Sequence, residues 1–480
     1  MKANAVKIFL VLFFLFPLIG LIFYFKLNFQ FNTSDIYWAL KNSLTQSICV
    51  GCISIFLGYW GALGLLTVPT RYKNILKLIT VIPVFLPSLF SVLIGLSLIN
   101  PFPMGTWGVV FILSLVYTGF ASSMLSDQIE SQVGKLGFVA EIYNLPKSVF
   151  QRKVLWSLTA RAALYLFVVI FVNVFTCFSI PLLVGGNKGV NFEVLIYETI
   201  FVDHNWSLAV GLSIMQICFI YLFTLILRKK DTLVIADFHP SKFVKSKIGL
   251  VGIFIYLGIY IGGYLKLSIN AFRANYIADI FNADLASAVK ESFIFYFLSL
   301  MAFFFIFCLI LFLKFNFKKT SFLNLFLNPS SVLIGFSLYL IFPHNRLGMD
   351  FVKMATVFTI VAFVSFFKST FENKMDLFEK QMFVARSFGI NYFEFLVKIF
   401  LPQVKNSLFY CSSLIFIFCV SEFALIKASG AEIKTLGTEM ANYLSSYRIE
   451  GAFVISLLIL VLWLLVTAIL GALFGVYKKS

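Results

Sequence analysis

Few residues in this 480-residue chain could do chemistry, and their spacing narrows the field further. Cys49 and Cys52 form a C-x-x-C, the spacing of redox and metal pairs, but the pair falls inside an apolar helical run and reads as two small packing residues. The three histidines, His204, His239 and His344, are far apart and lack metal-ligand spacing. No G-x-x-x-x-G-K-[ST] phosphate loop, H-E-x-x-H, nucleophile elbow or carboxylate pair occurs. The expectation is therefore no catalytic residue, no metal and no cofactor, with any energy source on a separate protein.

What the chain does carry is a polar, basic segment written twice. Phe138-Val139-Ala140 opens the first and Phe383-Val384-Ala385 the second. Without gaps, Tyr143 then meets Phe388, Asn144 meets Gly389, Phe150 meets Phe395, Lys153 meets Lys398, Val154 meets Ile399 and Ser157 meets Pro402. Glycine adopts the left-handed conformation without steric cost, and asparagine is among the few other residues that visit it. The pairing predicts a helix that stops at this residue and another that starts after it. Pro402 sits near the start of the next spanning helix, where a missing N–H costs little.

Long apolar helices must position these segments. The chain is 60% hydrophobic and 12% charged, with 61 Phe and a mean hydropathy of +0.96, which makes lipid the solvent for most of it. Spans long enough to cross the hydrocarbon fall near 8–25, 43–67, 76–99, 106–125, 162–183 and 206–227. A second set falls near 247–265, 292–314, 325–342, 352–368, 404–426 and 452–475. The first, with Lys2 and Lys7 before it and no small-x-small cleavage site after it, reads as an uncleaved transmembrane helix. Pro83, Pro87 and Pro329 interrupt two of the runs. Those two also hold a repeated phrase, Ser91-Val92-Leu93-Ile94-Gly95 and Ser331-Val332-Leu333-Ile334-Gly335, so the irregularity is itself duplicated.

The net charge of +17 raises nucleic-acid binding. The Lys and Arg are instead spread over many short loops, most of them on one side if the N-terminus is inside, which is the positive-inside pattern. Both termini are then cytoplasmic. Six spans per half, an even number, make the repeats parallel rather than inverted. The expected fold is all-α and integral to the membrane, with about twelve helices as two parallel six-helix repeats. The expected divisions are a first module over 1–230, a cytoplasmic linker over 231–246 and a second module over 247–480.

Val384-Ala385-x3-Gly389-x9-Ile399-x-Leu401-Pro402 resembles the E-A-A-x3-G-x9-I-x-L-P coupling motif of ATP-binding-cassette importer permeases. Phe383 stands where that family often has Glu, and Val384 where it has Ala. In the first half Asn144 replaces Gly and Ser157 replaces Pro. Two modules on one chain resemble the fused iron(III)- and thiamine-type permeases. Gly185-Gly186, Glu193-x3-Tyr197-Glu198, Asp203, Ala209 and Gln216 look similar to the outer loops of thiamine permeases. So do Ser421-Glu422-Phe423, Thr435-Leu436 and Ser445-Ser446-Tyr447-Arg448-x2-Gly451-Ala452, although ferric permeases share part of this pattern.

The resemblance implies the type I importer permease fold in a bacterial inner membrane, with both segments as coupling helices. Phe138, Val139, Ala140 and Asn144 would meet an ATP-hydrolysing subunit in the first half. Phe383, Val384, Ala385, Phe388, Gly389, Ile399, Leu401 and Pro402 would do so in the second. The implied partners are a pair of identical ATPase subunits inside and a soluble substrate-binding protein outside, docking near 184–205 and 428–450. Thiamine and its phosphates are the expected cargo, with ferric iron as the alternative.

Four residues are pathway candidates. Glu422 lies near the end of a run, either on the pathway or at a helix end reaching water. Asn173 reads as an interhelical hydrogen-bonding residue before a substrate contact. Gly95 and Gly335 let helices approach, and broken helices also line pathways in transporters. An ion-coupled secondary transporter is the rival class, disfavoured by the scarcity of ionisable residues within the spans.

Overall fold

The computed structural model describes residues 21, 33–225, 245–273, 283–313, 331–342, 347–362, 378 and 381–475. Regular structure among them is entirely helical, as an apolar solvent demands of a backbone that must satisfy its own polar groups. The chain divides into two compact units, Lys26–Asn275 and Tyr276–Ser480, the latter grouped with Met1–Phe25.

The first unit runs α1 (Thr33–Leu65), α2 (Thr70–Phe85), α3 (Ser88–Leu98) and α4 (Thr106–Ile142). It continues with α5 (Trp156–Phe175), α6 (Ser179–Val184), α7 (Phe192–Phe201), α8 (Trp206–Leu225) and α9 (Lys247–Arg273). The second comprises α10 (Ala283–Leu313), α11 (Ser331–Ile341), α12 (Leu347–Ala362), α13 (Leu401–Ser421), α14 (Ala424–Ala428), α15 (Leu436–Ser445) and α16 (Ile449–Leu473). The order repeats. After each polar segment comes a helix of 20 or 21 residues, a short helix of 6 or 5, a helix of 10, and a long helix.

Eight helices among the described residues are long and apolar enough to cross a membrane. This is the architecture of a multi-pass helical membrane protein. The span expected at 76–99 is broken: α2 and α3 meet at 93° around Leu86-Pro87. Its counterpart at 325–342 is described only as the 11-residue α11. The expected span at 8–25 apart from Leu21, the end of the span expected at 352–368 beyond Ala362, and the linker at 231–246 up to residue 244 lie outside the described residues. The span expected at 404–426 instead belongs to a helical run from Tyr392 that stops at Ser421.

The core of the first unit joins α1, α3, α4, α5 and α6 through Val50, Val92, Ile112, Ile170 and Val184. Helix α9 packs on α1 and α3 of this unit, so the compact unit extends past the linker expected at 231–246. The approach is close enough that a Cβ on Gly249 would lie 2.2 Å from the Trp60 carbonyl oxygen. Tyr256 Oη also donates to the Leu115 carbonyl at 3.0 Å.

Candidate functional site

Each polar segment folds into an elbow, and the two are built alike. Helix α4 ends in a turn where Leu145 N donates to Ala140 O at 3.0 Å and Asn144 N to Glu141 O at 3.2 Å. In the second unit, Ile390 N donates to Ala385 O at 3.0 Å and Gly389 N to Arg386 O at 3.0 Å. Both are Schellman turns, with the six-to-one and five-to-two bonds that satisfy a helix's last carbonyls. The residue at the left-handed position is Asn144 at φ 47° and Gly389 at φ 73°. The expected turn is present at both sites.

A feature that sequence reasoning missed follows each elbow. Phe150–Leu155 and Leu396–Phe400 are π-helical turns running directly into α5 and α13. A wider turn ahead of Pro402 leaves room for a ring that would otherwise press on the carbonyl one turn back. The same turn forms ahead of Ser157, so proline alone does not cause it.

The elbows sort their side chains into an inner and an outer set. Ala140, Phe150 and Leu155 are buried against Leu63, Leu125 and Ile129. Their counterparts Ala385, Phe395 and Phe400 are equally buried, and Phe378 packs its ring on Phe395 and Phe400. This corrects the expectation that Ala140 and Ala385 face a partner: a small side chain is required where each elbow presses on its own unit. The outer set is apolar and exposed. Val139, Ile142 and Tyr143 (75%) stand out from the first elbow, and Phe383 (74%), Val384, Phe388 (79%) and Phe393 from the second. Ile399 is half-buried, Leu401 and Pro402 are exposed at the start of α13, and the Phe138 side chain lies outside what is described.

The pathway candidates separate. Gly95 and Gly335 are packing residues. A Cβ on Gly95 would come within 2.9 Å of Ile112 on α4, and one on Gly335 within 3.0 Å of Ala428 on α14. Asn173 Nδ2 donates to the Val169 carbonyl of its own helix at 3.0 Å. Its amide thus closes a local bond in place of the interhelical one expected. Glu422 stands just beyond α13 as its C-cap, and its Oε1 accepts from Leu425 N at 2.8 Å, organising the entry to α14. It is a helix-end residue.

The loops that lead into α7 and α15 are tied down by a pair of residues repeated in both units, again unseen in the sequence reading. Ser43 Oγ on α1 accepts the Phe192 N–H that opens α7 at 2.7 Å. Ser292 Oγ on α10 accepts the Leu436 N–H that opens α15 at 3.0 Å. The preceding residues bind the loops: Asn42 Nδ2 donates to Lys188 O and Val190 O, and Glu291 Oε2 accepts from Lys434 N. The legible signal was Ala39-x-Lys41-x-Ser43 against Ala288-x-Lys290-x-Ser292.

Ionisable groups are few but placed. Glu193 at the start of α7 is fully buried and accepts a hydrogen bond from Gln216 Nε2 of α8. Glu198 on the same helix is half-buried. Burial, with Asp203 and Asp35 nearby, holds its carboxyl above the usual range. A cavity of about 490 Å³ in the first unit is lined by Trp60, Trp107, Phe111, Ser114 and Tyr256, with no charged side chain on its walls. It does not suit an ionic cargo. Among the described residues no cluster of His, Cys, Asp or Glu could hold a metal ion.

No family model matches the chain, and no curated protein matches it.

Proposed function

We propose that this chain is the membrane-spanning subunit of a binding-protein-dependent importer, driven by ATP hydrolysis on a separate protein. The observation that carries the reading is the duplicated elbow. Two Schellman turns in equivalent positions each expose a cluster of aromatic and aliphatic side chains just ahead of a spanning helix. Exposed apolar clusters of this kind mark interaction sites. A rigid turn presenting aromatic knobs suits a groove on a folded partner, and a tight turn joined to a long helix transmits a push without bending. Closure of two ATPase subunits would then move the two elbows, a rigid-body change sensed at both ends of the pathway.

In this reading cargo is selected mainly by an external binding protein that meets the loops anchored by Ser43 and Ser292. Thiamine and its phosphates are the proposed cargo, on the resemblance of the outer loops, with ferric iron as the alternative. Cells lacking the chain and unable to make thiamine should fail to grow on low external thiamine. Normal growth together with defective ferric uptake would assign iron instead.

The buried Glu193–Gln216 pair favours a second reading, an ion-coupled transporter, because a carboxylate inside a helical membrane protein is a functional candidate by default. Uptake by vesicles holding an ion gradient and no ATP separates the two.

A further inference from the structure

Of the three basic residues of α2, Arg71 is exposed while Lys73 and Lys77 turn toward the protein. Lys73 is buried (4% exposed) and pairs with Glu130 of α4, while Lys77 pairs with Asp127 and lies 3.7 Å from Glu130. The opposite side of α2 exposes Tyr72, Ile75 and Leu78. Beyond its first turn the helix thus holds Lys73 and Lys77 against the protein and turns apolar side chains away, as a helix bathed in lipid would. It packs mainly on α4.

Helix α4 is unbroken from Thr106 to the first elbow. Glu130 lies twelve residues before Ile142, about 18 Å along the axis. At the other end of the broken span, α3 rests on the same rod through Gly95 and Ile112. A buried ion pair contributes little net stability compared with an apolar pair of like volume, and its best-attested use is to fix register.

We propose that the Lys73–Glu130 and Lys77–Asp127 pairs form a clasp that carries movement of the first elbow along α4 to the broken span α2–α3. The four side chains are then positioning residues for coupling, an assignment that rests on the importer reading above. Without the clasp α4 can move under α2. With it, α2 must follow and take α3 around the Leu86-Pro87 bend.

The test uses the full chain purified with its co-purifying ATPase in nanodiscs, carrying spin labels in a cysteine-free background. A Ser148→Cys and Ser387→Cys pair reports the elbows, and an Ile99→Cys and Val202→Cys pair reports α3 against the end of α7, off the α4 rod. ATP binding is expected to shift both distances. In Lys73→Glu the elbow shift persists while the α3 shift falls by about an order of magnitude, and adding Glu130→Lys restores it. If Lys73→Glu does not assemble, Lys77→Gln, at the more exposed pair, is read the same way. An α3 shift unchanged by the substitutions overturns the clasp. So does loss of both shifts without rescue by the charge swap, since that marks a scaffold. If wild type carries no ATPase, the importer reading fails first and takes the clasp with it.

Discussion

At the scale of single residues, Gly389 bears the sharpest demand. Its φ of 73° lies where an L side chain costs about 1–2 kcal/mol, and a β-branched one more. Gly389→Val should abolish uptake while leaving membrane insertion intact, as read by transport assays beside membrane-fraction immunoblots. Normal uptake in that variant would count heavily against the coupling assignment. Asn144→Gly relaxes the same position in the first elbow and should leave uptake at or above the wild-type level.

Glu198 gives a pH signature. Its carboxyl is held above the usual range, so between its unfolded and folded pKa the folded state binds more protons. Stability therefore falls as pH rises through that window and is regained on acidification. Glu198→Gln should raise the thermal midpoint at pH 7, with the difference vanishing in mild acid. Detergent-phase melting curves at several pH values measure this. Of these two residues the sequence announced Gly389, because its type and its alignment with Asn144 both pointed to a left-handed turn. It could not announce Glu198, whose perturbation comes from burial and from Asp35, far away in the chain.

At the scale of elements, the elbows explain why aromatic and aliphatic positions coincide between halves while their neighbours vary. One set, Ala140, Phe150 and Leu155 with Ala385, Phe395 and Phe400, is core. The other, led by Tyr143 and Phe388, is surface. Sequence alone could not separate the two, since both are apolar and the π turns shift the helical phase between them. Replacing the outer set tests the division. Tyr143→Ser with Phe388→Ser should leave folding intact and strip away the ATPase partner, measured as ATP hydrolysis retained through purification. Ala385→Phe should instead disturb the elbow itself, because overfilling a packed site typically costs 1–3 kcal/mol. Spans were legible from hydropathy. Their breaks at Pro87 and Ser421 were only half legible, because proline marks a break while a carboxylate cap on the next helix does not.

At the scale of the molecule, duplication is the organising fact. The short helices that follow each elbow, the serine that accepts the first N–H of α7 and of α15, and the left-handed turn at each elbow all occur twice. Two copies of a turn and two copies of an anchor thus sit in equivalent positions of the chain, while the residues between them differ. The division of the chain was less legible. Helix α9, placed at the start of a second module by the six-plus-six span count, packs on α1 and α3 through small residues such as Gly249 that hydropathy does not register.

The most direct measurement purifies the chain from native membranes in mild detergent and assays the eluate for ATP hydrolysis, beside the Tyr143→Ser, Phe388→Ser double variant. The account predicts a nucleotide-hydrolysing subunit retained by wild type and lost from the variant. Wild-type material that carries no such subunit, yet accumulates cargo in vesicles under an ion gradient alone, would contradict it.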